Sequence, residues 1–363
     1  MLHPDSVLHP DSVLHLDSAA GARTSAATRA AMAAYVEQEA ESGVYVAEAE
    51  ARPRLARLRA DLAGLVGTPA DGVALVESAT AALKALLDAW PVSEVAVLPS
   101  EWGTNLSILA DRGVRLVRLG ADDAGILDLD GLARLLATSP PSAVHLTQIA
   151  AHRGLLQPIA AAAALCQGAG VPLWVDAAQS LGHVDVAHGA DVVYGTSRKW
   201  LRGPRGVGLL AVAEPWWPTL HVRHHVLADP GEPTVLGLQS DDAHVAGRIG
   251  LANAVAEYLA AGPEQVWQQL ADVGRRTREA LADLPGWALV DGAGTAITAL
   301  RPTAGQEVGE VRARLLAERR ILTTASYPPR APAEMTAPTL RLSPHTDCSD
   351  AALDAVRAAL SDL

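Results

Sequence analysis

Two reactive side chains each follow a short apolar run in the middle of the chain. The runs, residues 173–175 and 192–194, are brief, β-branched or aromatic, and bounded by polar residues or glycine, which is typical of buried parallel strands. Asp176 comes directly after the first run, and Lys199 lies a few residues past the second. Because ligands of open α/β sheets gather at the carboxyl ends of the strands, we expect this carboxylate and this amine to share one site.

An acid and a lysine at one sheet edge suit the chemistry of pyridoxal phosphate. The lysine amine condenses with the aldehyde of this cofactor, and a carboxylate beside the ring nitrogen keeps the ring able to accept electrons. Gln179 is placed to reach the ring hydroxyl, while Thr196 and Arg198 flank the lysine and can bind the phosphate. Taken singly, Asp176 as a helix cap and Lys199 as an exposed lysine are the simpler interpretations, but the joint pattern favours the cofactor.

These residues lie in motifs that resemble a known family. The segments DAAQ (176–179), SRKW (197–200) and GPRG (203–206) resemble the class V aminotransferase group of fold-type I pyridoxal phosphate enzymes, which includes cysteine desulfurases and kynureninases. With HLTQIAAHRGLLQP (145–158) and LRLSPH (340–345), the chain is most similar to the carbon–sulfur lyases that cleave hercynylcysteine sulfoxide in ergothioneine biosynthesis. The resemblance runs from about His15 to the C-terminus.

The resemblance implies a fold-type I α/β architecture, and the sequence divides accordingly. We expect a large cofactor-binding domain over residues 14–250, with a mainly parallel seven-stranded sheet flanked by helices, and a smaller C-terminal α/β domain over 251–363. Residues 1–13 contain two copies of LHPDSV, whose prolines disfavour regular structure. We therefore expect an irregular extension there. The resemblance also implies a homodimer with the active site near the interface.

Two further segments are expected to hold the cofactor. Ser78-Ala79-Thr80 precedes a predicted helix, whose N-terminal amides make an anion site, and in this family the residues that match Ala79 and Thr80 hold the phosphate. Trp102 follows the predicted strand 95–98 and is expected to stack on the pyridine ring, where the cysteine desulfurases have histidine. Ser240 lies in a segment that resembles the part reaching across the dimer to the partner's phosphate.

The substrate contacts are expected from three other places. Arg341 matches the arginine that binds the substrate carboxylate in this family, and a guanidinium suits a carboxylate because it can bind both oxygens. Ala151 stands where much of the group has asparagine, so we expect His152 or Gln179 to replace that contact. Tyr45, in the helical stretch 28–50, is expected to line the substrate pocket.

Composition excludes several other classes of protein. A formal net charge of −12 argues against nucleic-acid binding, which needs clustered Lys and Arg. Two cysteines give neither a disulfide framework nor a zinc cluster, and the histidines at 221, 224 and 225 lack a completing acid or cysteine, so no metal is expected. No leader or bilayer-length apolar run is present, and a cytoplasmic location with no membrane contact is expected.

The reaction is suggested by a missing thiol. A cysteine desulfurase needs a nucleophilic cysteine on a mobile loop before the carboxylate arginine, and residues 323–338 contain none. Cys348 follows Arg341 and is misplaced for that role. Elimination from a sulfoxide needs no thiol, so the sequence predicts a β-eliminating carbon–sulfur lyase. A desulfurase-like or kynureninase-like enzyme for another amino acid and a non-catalytic binding protein remain alternatives.

Overall fold

A computed structural model of the chain describes residues 13–222, 231, 233–240, 242–292 and 294–363. Residues 1–12, where most of the predicted extension falls, and His224 and His225 lie outside this set. The strands, in chain order, are β1 (Leu14–His15), β2 (Val73–Val76), β3 (Glu94–Val97), β4 (Arg115–Arg118), β5 (Ala143–Thr147), β6 (Leu173–Asp176), β7 (Val192–Thr196), β8 (Gly208–Val212), β9 (Trp287–Leu289), β10 (Thr298–Pro302), β11 (Ile321–Leu322), β12 (Thr324–Ser326) and β13 (Thr339–Leu342).

The helices surround these strands on both sides of the main sheet. In chain order they are α1 (Ser18–Gly21), α2 (Ala26–Ser42), α3 (Val44–Val66), α4 (Ala79–Ala89), α5 (Gly103–Asp111), α6 (Leu129–Thr138), α7 (Ile159–Ala169), α8 (Val245–Ala261), α9 (Pro263–Leu281), α10 (Val308–Arg319) and α11 (Asp350–Ser361). Within the described part of the chain, no helix is long and apolar enough to cross a membrane.

The main sheet has seven strands in the order β2-β8-β7-β6-β5-β3-β4. Strands β7, β6, β5, β3 and β4 are parallel to one another, and β8 runs antiparallel to both β7 and β2. The predicted strands 173–175 and 192–194 are confirmed as β6 and β7, which are buried along their whole length. Their apolar residues bury against helices on both faces, as parallel strands require.

The strand order places a crevice at the carboxyl edge of this sheet. Strand β3 lies between β4 and β5, so the connections after β3 and after β5 leave the sheet in different directions. Such a reversal of strand order opens a crevice in which ligands of α/β sheets bind. The residues that follow β3, β5 and β6 therefore face one another there.

The C-terminal part forms a separate sheet with the order β12-β13-β10-β9, which is antiparallel throughout. The first strand of the chain joins this part, because Leu14 pairs with Ile321 between β1 and β11. The predicted domain boundary at residue 250 falls inside α8, which is continuous from Val245 to Ala261. A single unbroken helix thus links the two predicted domains.

The predicted helical stretch 28–50 is two helices. Gly43, with a φ of 88°, ends α2 and precedes α3, and this left-handed conformation is accessible to glycine without strain. Tyr35 of α2 and Leu55 of α3 bury together against Ile249 of α8. The break therefore lets both helices pack on a third one while the chain reverses direction at Gly43.

Candidate active site

A cavity of about 360 Å³ lies at the carboxyl edge of the main sheet. This size is within the range of small-molecule sites. The structure brings most of the predicted site residues to its wall, namely Ala79, Thr80, Trp102, Asp176, Gln179, Thr196, Arg198, Lys199 and Arg341. Sequence positions as distant as 79 and 341 therefore meet in one place, as the predicted topology requires.

Asp176 closes β6 at the floor of the cavity and is 5% exposed. Its carboxylate accepts hydrogen bonds of 2.8 Å from the Asn105 side chain and 2.8 Å from the Ala178 amide. Burial and the charge of Glu101 raise the pKa of Asp176, although these two hydrogen bonds and Lys199 oppose the shift. No ion pair joins this carboxylate to any residue that the structure describes. A cationic group in the cavity, such as a protonated ring nitrogen, would relieve its desolvation.

Lys199 follows β7 in a tight turn and is partly buried. The Ser197 hydroxyl donates to the Pro204 carbonyl across this turn, and Gly203 has no room for a side chain because its Cβ would lie 2.8 Å from that of Ser197. Burial lowers the pKa of Lys199 to about 7, and the positive charges of nearby arginines add to this effect. A substantial fraction of the amine is therefore unprotonated at neutral pH and able to act as a nucleophile or base.

Both polar atoms of the Gln179 side-chain amide are hydrogen-bonded. Trp200 donates a hydrogen bond of 3.0 Å from its indole nitrogen to the Gln179 amide oxygen, and the Gln179 amide nitrogen donates to the Ala19 carbonyl at 2.9 Å. Trp200 is itself buried and packs on His183 at 3.9 Å between ring centroids. Because an amide nitrogen carries two hydrogens, one donor of Gln179 is left to face the cavity. This donor fits the expected contact with a ring hydroxyl.

Arg341 lies in β13 and is 1% exposed. Its guanidinium donates to the Ala151 carbonyl at 3.0 Å and to the Asp17 carboxylate at 3.2 Å, while its Nε has no partner in the described structure. Burial lowers the pKa of Arg341 to about 10, so the group is still protonated at neutral pH. Five donors on one guanidinium leave capacity for a substrate carboxylate beside these contacts.

The predicted phosphate site combines a helix terminus with an arginine. The hydroxyl of Ser78 accepts a hydrogen bond of 3.1 Å from the Ala81 amide at the start of α4, which leaves the amides of Ala79 and Thr80 without intrahelical partners. Arg198 directly precedes Lys199 and also lines the cavity. Among the residues described, no acid forms an ion pair with it. Backbone donors, a helix N-terminus and an unpaired guanidinium together suit a phosphate dianion.

A fully buried glutamate, which the sequence did not reveal as part of the site, supports this wall of the cavity. Glu101 follows β3 and is 0% exposed. One carboxylate oxygen accepts from the Trp102 amide at 2.9 Å, the Asn105 side chain at 2.9 Å and the Thr147 hydroxyl at 2.7 Å. The other oxygen lies 3.0 Å from His145 Nδ1. Every strong acceptor site of this buried carboxylate is thus used.

The electrostatics of the Glu101–His145 contact favour an ion pair. Burial alone would raise the pKa of Glu101, but His145 and the hydrogen bonds bring it below its ordinary value. Burial alone would lower the pKa of His145, yet the Glu101 carboxylate raises it. His145 Nε2 and the Tyr194 hydroxyl oxygen lie 2.8 Å apart and share a hydrogen bond. Since Asn105 binds both Glu101 and Asp176, the pair is linked directly to the carboxylate at the cavity floor.

Arg330 is a second lining residue that the sequence did not single out. It ends the short 3₁₀ turn Pro328–Arg330, and its guanidinium carbon lies 5.6 Å from the centre of the Trp102 ring. The segment 323–338 that contains it has no local pattern that marks which of its residues faces the cavity. Its prolines are the available signal, since they indicate a rigid turn.

Three predicted site residues do not reach the cavity in this chain. His152 is buried with its Nε2 at 3.1 Å from the Glu334 carboxylate, which lies outside the cavity wall. Tyr45 is 84% exposed at the start of α3, and Ser240 is exposed as well. The structure therefore leaves His152 outside the cavity and places Gln179, the other residue expected to replace the asparagine contact, in its lining.

Neither cysteine lies in this cavity. Cys348 lines a separate cavity of about 100 Å³, and burial raises the pKa of its thiol to about 11. Cys166 is fully buried in α7, and burial raises its pKa to about 12. Both are therefore thiols rather than thiolates near neutral pH, which is typical of structural cysteines.

The sheet topology and the placement of Lys199 and Asp176 match a known family. Residues 14–304 match the model of the aminotransferase class-V family, and the chain belongs to this family. It is 44% identical over 337 residues to the probable hercynylcysteine sulfoxide lyase of Mycobacterium tuberculosis, a match that covers 91% of this chain and 85% of that protein.

Two solved structures share the fold. The cysteine desulfurase of Thermococcus onnurineus NA1, in its apo form, superposes with a TM-score of 0.84 at 19% identity over 96% of this chain and 94% of its own. A mutant of C-DES with glycine covalently linked to its PLP cofactor gives a TM-score of 0.84 at 16% identity over 97% of each chain. The predicted fold-type I architecture is thus confirmed.

Proposed function

We propose that this protein is a pyridoxal phosphate-dependent carbon–sulfur lyase that cleaves hercynylcysteine sulfoxide by β-elimination. The proposal is supported by the identity of 44% with a probable lyase of this kind over most of both chains. The observation that carries it is the composition of the cavity. A lysine with a lowered pKa, a buried carboxylate and a carboxylate-binding arginine meet there, and both cysteines of the chain lie elsewhere.

The residues of the cavity fit the cofactor. Arg198 and the first amides of α4 would hold the phosphate, Asp176 the ring nitrogen and Gln179 the ring hydroxyl. Trp102 would stack on the ring. When bound, pyridoxal phosphate supplies an aldehyde that condenses with amines and a ring that takes up electrons from the adjacent carbon.

The protein's own groups then have defined tasks. Arg341 binds the α-carboxylate of the substrate and so fixes which bond at Cα is broken. Lys199 removes the proton from Cα with its neutral amine, and Asp176 would hold the protonated ring nitrogen of the cofactor. The Cβ–S bond breaks with its electron pair on sulfur, which leaves as a sulfenate. The remaining three-carbon fragment takes up water and gives pyruvate and ammonia. The sulfenic acid becomes ergothioneine when an external thiol reductant supplies two electrons, and its oxygen leaves as water.

We also propose that two chains form a homodimer. Large apolar side chains are exposed on α2 and at the start of α3, with Val36 54%, Val44 54% and Tyr45 84% exposed. Exposed apolar surface is typical of interfaces. Ser240 would then serve the cavity of the partner chain, as the family resemblance implies, and we propose the same for Tyr45. Light scattering after size exclusion tests this proposal, since a monomeric mass would contradict it.

The decisive test of the lyase uses the unusual lysine content of the chain. Lys84 and Lys199 are the two lysines of the sequence, and Lys84 is exposed on α4. Borohydride reduction of the holoenzyme followed by peptide mass analysis should place the cofactor on Lys199. Purified wild type and Lys84→Ala should release pyruvate from hercynylcysteine sulfoxide, and Lys199→Ala should not. Transfer of sulfur as a persulfide, or reduction adducts on Lys84, would contradict the proposal.

A further inference from the structure

Arg330 lines the same cavity as Lys199 and Arg341, but the proposed elimination gives it no task. The phosphate is matched by Arg198 and the helix terminus, and the α-carboxylate is matched by Arg341. Arg330 is partly buried, so its charge is held away from bulk water. Burial lowers the pKa of Arg330 although the charge of Asp17 opposes this shift, and no described carboxylate pairs directly with the guanidinium, so an anionic ligand would stabilise it.

The backbone holds Arg330 rigidly at this wall. Pro328 and Pro329 restrict the preceding backbone, and the Arg330 amide donates to the Tyr327 carbonyl at 3.0 Å. The turn also lies directly on the start of α5, because a Cβ at Gly103 would overlap the Pro329 carbonyl oxygen. The guanidinium is thus placed over Trp102 by two independent restraints, rather than by a flexible loop.

The charges around the cavity are unbalanced. Its described lining contains Arg198, Lys199, Arg330 and Arg341, and Asp176 is the acid among them. Asp17, just outside this lining, is already bonded to Arg341. No hydrogen bond or ion pair joins the Arg330 side chain to any described residue, and its contact is with the face of Trp102. The site therefore has one guanidinium more than a phosphate and a single carboxylate require.

We propose that Arg330 binds a second carboxylate of the substrate, carried on the fragment that leaves with sulfur. This inference rests on the proposed function, since hercynylcysteine sulfoxide carries one carboxylate on its cysteine part and another on its betaine part. Arg341 and Arg330 then hold the two ends of the substrate, and the Cβ–S bond lies between them. Arg330 thereby selects S-conjugates whose leaving fragment carries a carboxylate over those with an apolar one.

The test compares two cysteine sulfoxides that differ by one carboxylate. The sulfoxides of S-(2-carboxyethyl)-L-cysteine and S-propyl-L-cysteine are offered to the wild-type holoenzyme and to Arg330→Gln, with pyruvate release and calorimetric dissociation constants measured for each. The wild type should prefer the carboxyethyl compound by about 10- to 100-fold, the range expected for a charged hydrogen bond. Arg330→Gln should lose this preference because it binds and cleaves the carboxyethyl compound less well, while its values for the propyl compound stay unchanged. Arg330→Lys should retain part of it.

Arg205→Gln is the matched control, because Arg205 is exposed near Arg198 and does not line the cavity. It should keep the preference of the wild type. Equal losses on both compounds in Arg330→Gln would overturn the inference, since Arg330 would then act on a group that they share, and so would an unchanged preference. Wild-type failure to cleave hercynylcysteine sulfoxide refutes the proposed substrate separately, because the dissociation constants of the paired compounds still decide the role of Arg330.

Discussion

The buried Glu101–His145 pair makes a quantitative prediction about stability and pH. In Glu101→Gln the carboxamide oxygen replaces Oε1 of Glu101 and can still accept its three hydrogen bonds. The charged hydrogen bond between Oε2 and His145, which is 3.0 Å long, is lost. Hydrogen bonds to charged groups contribute about 1.5–3 kcal/mol, and both partners are fully buried. We therefore expect the substitution to lower the free energy of unfolding by about 2–3 kcal/mol where the wild-type pair is charged.

The pH range of this effect follows from the two pKa directions. The pKa of His145 is raised above 6.5, so its stabilisation is complete below that pH and is lost as the pH rises through the raised value. The pKa of Glu101 is lowered below 4.5, so its stabilisation is complete above that pH and is lost as the pH falls through the lowered value. The difference between wild type and variant should be largest between these two values.

Urea unfolding followed by tryptophan fluorescence measures this difference at about pH 5.5 and about pH 9. The loss in Glu101→Gln should be larger at the lower pH. Glu310→Gln, an exposed substitution on α10, serves as the control for the loss of one negative charge and should show little change at either pH. An equal loss at both pH values in Glu101→Gln would refute the reasoning, because the contribution of the pair would then not depend on the protonation of His145 across this range.

Three further predictions concern the cavity. The reaction of cofactor-free protein with pyridoxal phosphate, followed by stopped flow, should accelerate as the pH rises through about 7, because the reactive amine of Lys199 is neutral above that value. Arg330→Gln should move the midpoint of this pH dependence upward, because the charge of Arg330 lowers the pKa of Lys199. A midpoint near 10.5 in the wild type would contradict the prediction. Cys348→Ser should keep pyruvate release within about twofold, because its buried thiol lies outside the cavity, and a loss of about tenfold or more would implicate the thiol. Gly103→Ala should displace the turn at Pro329, raise KM for hercynylcysteine sulfoxide by about tenfold and lower Tm; an unchanged KM would show that the turn does not position Arg330.

The main sheet and the reactive pair could be predicted because their signals are local. Strands β6 and β7 are short apolar runs, and burial on both faces leaves parallel strands little choice of residue type. Asp176 and Lys199 each lie within a few residues of such a run, so the topology alone brings them to one edge. The same argument placed Trp102 after β3.

The remaining parts depend on contacts between distant residues. Glu101 and His145 are 44 positions apart, and neither has a neighbour pattern that distinguishes a buried ion pair from two surface residues. The continuity of α8 across residue 250 could not be predicted either, because a helix that continues through a domain junction has the same periodicity as one that ends there. His152 was placed near the cavity by its position in a motif, whereas Glu334, nearly two hundred residues later, lies against its ring.

The pairing of Leu14 with Ile321 has a consequence for the folding of the protein during its synthesis. Asp17, held beside this junction, bonds to Arg341, and the Ala19 carbonyl fixes Gln179. The first residues that the structure describes can therefore form these contacts only after the ribosome has synthesised almost the whole polypeptide. A chain that terminates before Ile321 lacks both the Arg341 guanidinium and the strand β11 that pairs with β1. We therefore expect such a fragment to be inactive.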